Sequence, residues 1–287
     1  MRVIIFICIM AMSISMANAK VYFDNPNEDN IQNEVEALDF DVLKEAGSTI
    51  KPVESYLLGL LYAQGYAKQD IEVDKTKSAK FMNQAWEGNV ADAGYALAQF
   101  YYNGIGVHKN IEKAKYFLIE SATQGYSKSQ TSLGIAYWGK SITFPNIVDK
   151  DLDKAEHWLL KVAERGYGQS ASSLSKFYLS QGQEDKSFLW AKRSVDAKFK
   201  GVQMINLGDL APFYEKGIGT TKDLVLAYKY YDLLGTAGVK EKNRIAKDMT
   251  DAEIAEAIQQ SRAWQEEHNI FVPSYNGLQH QSDGSYR

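Results

Sequence analysis

Apolar positions between residues 52 and 238 recur at helical spacing in blocks, and the blocks themselves recur. A Leu, a small residue and a Tyr four positions after the Leu form the first signature. It reads Leu58-Gly59…Tyr62, Leu97-Ala98…Tyr101, Leu133-Gly134…Tyr137, Leu174-Ser175…Tyr178 and Leu210-Ala211…Tyr214. The Tyr positions lie 39, 36, 41 and 36 residues apart. A second signature follows each one: an acidic or amide residue, a Lys-Ala-like pair, then an aromatic three residues on. Asp74…Lys77-Ser78…Phe81, Asn110…Lys113-Ala114…Phe117 and Asp151…Lys154-Ala155…Trp158 are its strong copies. Gln183…Lys186-Ser187…Trp190 and Asp223…Leu226-Ala227…Tyr230 are weaker ones.

Each block reads as a pair of helices. Leu and Tyr four apart share one face, and the small residue after Leu lets a neighbouring helix come close. Asp or Asn ahead of the second run is an N-cap for the free N–H groups of that helix. Gly104-Ile105-Gly106 and Gly217-Ile218-Gly219 supply positive φ at the end of the first helix, and Gly125, Gly166 and Gly238 are expected to close the second. Length changes gather between the first and second helix of a pair, at one edge of the array. One larger step before the fifth Tyr predicts an extra helical turn near Pro212.

The ends follow other patterns. Residues 20–51 read as a polar linker (24–30) and a capping helix over Ile31–Ala46. Residues 239–268 read as C-terminal capping helices, the last opened by the capping box Thr250/Glu253. Residues 269–287 have no helical pattern and are expected to form a flexible tail. Residues 1–19 combine Arg2, an apolar run from Val3 to Met16 and the small-x-small triplet Ala17-Asn18-Ala19. This is the pattern of a cleaved secretory signal peptide. The run is shorter than the roughly 20 apolar residues a bilayer core requires, so no stable membrane insertion is expected after cleavage.

Composition narrows the chemistry. The chain has 287 residues and a net charge of −4, which disfavours nucleic acid as a partner. Its one Cys, Cys8, lies in the leader, so the mature chain would have no disulfide, thiol nucleophile or Cys-bound zinc. His108, His157, His268 and His280 are scattered, and neither a metal nor another cofactor is expected. Ser48…Lys51 and Ser173…Lys176 have the one-turn Ser-x-x-Lys spacing of some acyl-serine enzymes, but without the accompanying motifs. The chain is therefore not expected to be an enzyme.

Together the two signatures resemble the Sel1-like repeats, a branch of the tetratricopeptide-type solenoids, over about residues 52–238. The resemblance implies an all-α, right-handed α-α superhelix of about five helix pairs with capping helices. Unlike some secreted relatives, this sequence has no disulfide in any repeat. Groove positions carried over by motif are Tyr56, Leu60 and Ala63; Tyr95, Gln99 and Tyr102; Thr131, Ile135 and Trp138; and Ser172, Lys176 and Leu179. The resemblance implies that these bind a partner protein; the alternative is that Tyr56, Tyr95 and Trp138 pack between neighbouring repeats or under a terminal helix. The expected role is a periplasmic scaffold or adaptor, in an envelope or type VI secretion complex. Alternatives are an immunity protein occupying a secreted toxin, a cell-wall or β-lactam hydrolase using Ser173, and a glycan binder using Trp138 and Tyr102. Release from the cell, or a eukaryotic lumen, is the alternative location.

Overall fold

The computed structural model describes residues 19–24, 28–40, 43, 50–197 and 203–268. The expected signal peptide (but for Ala19) and the expected tail at 269–287 lie outside the described residues. Those described form thirteen α-helices and three short 3₁₀ turns, with isolated β-bridges in place of strands. Helix α1 spans Glu28–Glu36. Five pairs follow: α2 (Pro52–Gln64) with α3 (Lys75–Glu87), α4 (Ala91–Asn103) with α5 (Ile111–Thr123), α6 (Ser127–Tyr137) with α7 (Leu152–Ala163), α8 (Gly168–Ser180) with α9 (Glu184–Val195), and α10 (Gln203–Lys216) with α11 (Leu224–Asp232). Helices α12 (Val239–Ile245) and α13 (Asp251–His268) close the array, both packed on α11. Second helices also pack on the first helix of the next pair, so the chain is an α-solenoid.

The recurring residues meet one another inside each pair. Tyr62 stacks on Phe81 at 5.5 Å, Tyr101 on Phe117 at 5.5 Å and Tyr214 on Tyr230 at 5.7 Å. The Lys of the second signature lies over the same tyrosine, with Nζ 5.0–5.3 Å from the ring centre for Lys77, Lys113, Lys154 and Lys186. Below the ring, the tyrosine carbonyl accepts the N–H of the residue that starts the second helix. These bonds run from Asp74 to Tyr62, Asn110 to Tyr101, Asp151 to Tyr137, Gln183 to Tyr178 and Asp223 to Tyr214, at 2.8–3.0 Å.

Asp74, Asn110, Asp151 and Asp223 then cap their helices through the side chain at 2.9–3.0 Å. Gln183 makes no such bond: α9 relies on Glu184 and Asp185 in its first turn. The small residue after Leu works as expected. A Cβ on Gly134 would lie 2.8 Å from Leu159 Cγ.

Three local expectations are corrected. Gly238 has φ −88° within a 3₁₀ turn. The positive φ belongs to Gly235, and Gly238 is needed because a Cβ there would strike the Tyr231 carbonyl oxygen at 1.8 Å. The longer spacing before the fifth Tyr does not fall at Pro212, since α9 ends at Val195 and α10 starts at Gln203. The periodicity across 31–46 is divided rather than continuous: α1 stops at Glu36, after which Phe40 stacks on Tyr66 at 6.1 Å.

The terminal cap carries a buried ion pair. Lys242 Nζ meets Asp232 Oδ1 at 2.5 Å with both side chains about 5% exposed, and Ser261 Oγ donates to Asp232 Oδ2 at 2.7 Å. One carboxylate thus ties α11 to both α12 and α13. Thr250 and Glu253 form the expected capping box, Glu253 accepting the Thr250 N–H at 2.7 Å.

Candidate protein-binding groove and the segment lying across it

The first helices of the first four pairs, α2, α4, α6 and α8, present the positions assigned to the groove. Near their N-terminal ends these positions are buried, which corrects the expectation of an open aromatic wall. Tyr56 is 5% exposed because Phe23, from the chain's own N-terminal segment, stacks on it at 5.4 Å and 19°. Tyr95 is 8% exposed beneath Phe144, which meets it edge-on at 5.8 Å. Thr131 Oγ1 is bonded to Ser170 Oγ and to the Ser127 carbonyl. Ser172 Oγ donates to Asp209 Oδ2 at 2.6 Å.

Farther along the helices the positions are more open. Leu60, Ala63, Gln99 and Ile135 are half-buried. Lys176 is exposed and pairs with Asp209 at 2.8 Å. Trp138 is half-buried, edge-on to Phe177, and Leu179 is exposed. Tyr102 is half-buried but engaged: its hydroxyl donates to the Pro145 carbonyl at 2.7 Å and its ring meets Phe144. Phe144 and Pro145 belong to the long α6–α7 connection, which folds back over α4. Ile142 of the same connection is 94% exposed.

The N-terminal segment is held residue by residue. Lys20 N–H donates to the Asn89 carbonyl at 2.9 Å, and the Lys20 carbonyl accepts the Ala91 N–H at 3.0 Å. Asp92, 1% exposed, accepts the N–H of Tyr22 at 3.0 Å and of Phe23 at 2.8 Å. Burial pushes the Asp92 carboxyl up from its ordinary range, and those two N–H donors pull against that shift. Asp24 Oδ1 accepts the Ser127 N–H at 2.8 Å, and Asp24 Oδ2 receives the Tyr167 hydroxyl at 2.7 Å and the Arg165 guanidinium. Burial, aided by that carboxylate, pushes the Tyr167 phenol up to about 12, so it remains the donor.

These contacts have a local cause. Four of the five second helices bring their own Asp or Asn caps, whereas α4, α6 and α8 start after Val90, Tyr126 and Tyr167, which supply no capping acceptor. Lys20 and Asp24 provide acceptors for α4 and α6 from outside. Asp24, Asp92, Arg165 and Tyr167 escaped the sequence reading because none belongs to a recurring motif. The only available sign was an acidic residue, Asp92, opening a helix otherwise lined with apolar and small side chains.

Residues proposed for catalysis are separated. Ser173 Oγ donates to its own helix at the Gln169 carbonyl, while Lys176 is paired with Asp209. Lys51 pairs with Glu54, and Ser48 lies outside the described residues. His108 and His157 are exposed, His268 stacks on Trp264, and His280 lies outside the described residues. Among the described residues no group of three or more His, Cys, Asp or Glu is placed to hold a metal ion. No helix among them is long and apolar enough to cross a membrane.

The comparisons with known proteins agree with this architecture. The Sel1 repeat family model matches residues 55–89, 91–126, 127–167 and 204–239. The unmatched stretch contains the α8–α9 pair, which folds like its neighbours although its turn has lost the Gly-x-Gly pattern. No curated protein matches the chain. Among solved structures it is similar to c5321, a protective antigen of uropathogenic Escherichia coli strains with an SLR fold. The TM-score is 0.64 at 20% identity, over 89% of this chain and 59% of that one. This chain therefore spans a little over half of that protein's length. A Sel1 repeat protein from Oxalobacter formigenes is similar at TM-score 0.63 and 20% identity, over 84% of this chain and 100% of the other. Such repeats generally mediate contacts between proteins and typically form non-catalytic scaffolds. With just over half of its residues matched by the repeat model, this chain belongs to the Sel1 repeat family.

Proposed function

We propose that this chain is an exported adaptor that holds a segment of another protein on the face formed by its first helices, within the periplasm. One observation carries the reading: half-buried Trp138 and exposed Leu179 stand at the ends of consecutive first helices, and Ile142 projects from the connection after Trp138. Apolar area of this kind gains about 25 cal/mol per Å² when covered, and Trp is prominent among residues that dominate binding energy. The mechanism is burial and shape complementarity, with no bond made or broken. Export rests on the leader pattern at residues 1–19. An envelope scaffold and a toxin-occupying immunity protein would both use this face, and the bound partner's identity separates them.

The test places a photo-crosslinking residue at position 138 or 179 in the native host and identifies what is captured. Trp138→Ala and Leu179→Ala should weaken capture of one defined partner while leaving the melting temperature nearly unchanged. Loss of thermal stability in step with binding would show that these side chains are core. Tyr102 is unsuitable for this purpose because its hydroxyl fastens the α6–α7 connection.

A further inference from the structure

We propose that the clamp over the first-helix ends of α4 and α6 is a peptide-binding site for an extended partner segment in which an aromatic residue directly precedes a carboxylate, and that residues 20–24 are its built-in competitor. The inference rests on the adaptor reading above and names the kind of segment one end of that face takes.

The chain displays the recognition chemistry by binding itself. Main-chain bonds at Lys20 join the segment to residues 89–91 in parallel, the way a partner strand is added to an exposed edge. Asp92 reads two consecutive N–H groups, a contact that any non-proline residues can make. Selectivity comes from two further seats. Tyr56 offers a ring face, occupied by Phe23. The Ser127 N–H, the Tyr167 hydroxyl and the Arg165 guanidinium converge on one carboxylate, that of Asp24. Tyr22, between the main-chain contact and the ring seat, is 43% exposed and unselected. Val21 packs half-buried against the core, so the recognised pattern is an apolar residue, any residue, an aromatic, then an acid.

A tethered segment this short competes at an effective concentration on the order of millimolar, so it masks the site without closing it permanently. A partner gains access by binding more strongly or by supplying several such segments.

The probe is a fluorescein-labelled, amidated pentapeptide with the sequence of residues 20–24, titrated by anisotropy. It is added to the unaltered full chain and to a full-chain variant, Phe23→Ala with Asp24→Ala, whose own segment is loosened. The loosened variant should bind the peptide at least about ten-fold more tightly than the unaltered chain. Changing the peptide's Phe to Ala or its Asp to Asn should weaken binding by about ten-fold, as should Arg165→Gln in the loosened chain. No binding to a loosened chain with native circular dichroism, or binding indifferent to Arg165→Gln, would overturn the proposal.

A second measurement covers the case in which the loosened variant fails to fold. Millimolar peptide added to the unaltered chain should speed amide exchange at Tyr22 and Phe23, and unchanged exchange would equally overturn it. If the peptide fails while Trp138-dependent crosslinking persists, the segment is a structural staple and the adaptor reading stands. If both fail, the adaptor reading falls as well.

Discussion

Gly134 shows how little space separates paired helices: a Cβ there would sit 2.8 Å from Leu159 Cγ and 3.2 Å from Leu159 N. Gly134→Ala is expected to cost about 1–3 kcal/mol in urea unfolding, since the backbone of α7 must give way. At Gly182, where φ is +71° and nothing lies within 4 Å, alanine should cost only about 1–2 kcal/mol from the left-handed backbone. Glu215 adds a pH dependence. The hydrogen bond from Arg244 holds its carboxyl below 4.5, outweighing burial. Its folded value is lowered, so its contribution is complete above pH 4.5 and is lost as the pH falls through that lowered value. Arg244→Gln should shrink this acid-side loss, measured as the shift in urea midpoint between neutral and acidic buffer. At this scale the sequence was partly readable. The N-cap residues and the small residue after Leu were evident because each answers a local need. What covers Tyr56 and Tyr95 was not, because Phe23 and Phe144 reach them from segments with no periodic pattern.

At the level of the element, first and second helices solve the same problem differently. A second helix caps itself, which is why Asp74, Asn110, Asp151 and Asp223 stand out in the sequence. The first helices α4 and α6 take acceptors from the N-terminal segment, a dependency with no local trace, whereas α2 opens with its own Glu54 accepting the Lys51 N–H at 3.0 Å. Asp24→Ala should remove the cap from α6 and lower stability by about 1–2 kcal/mol, with faster amide exchange at Ser127 as its local sign. The C-terminal helices share one buried carboxylate beside their apolar contacts with α11. Lys242→Met leaves Asp232 charged and buried with only Ser261 beside it, and should cost about 3–5 kcal/mol in thermal or urea unfolding. Converting Asp232 to Leu in the same chain should recover part of that loss, because an apolar pair needs no compensation.

Across the whole molecule, the five pairs contact only their neighbours, yet the segment at residues 20–24 touches Tyr56 in the first pair, Asp92 in the second, Ser127 in the third and Tyr167 at the start of the fourth. Nearest-neighbour stability alone would let the ends fray independently. The repeat spacing made the solenoid legible from sequence, but the hydrogen bonds of this bridge join residues 69 to 143 positions apart and could not be read from any period. The long α6–α7 connection has a simpler logic. Its base is shut by the Asp151 N–H bond to the Tyr137 carbonyl at 2.8 Å, the same closure that shorter connections use. The closure leaves the pairing of α6 with α7 independent of loop length, while Phe144 and Ile147 above it are buried in the core. Only the tip around Ile142, 94% exposed, is free to vary on this frame, so a change of target is best sought there while Phe144, Ile147 and Asp151 keep the hairpin seated.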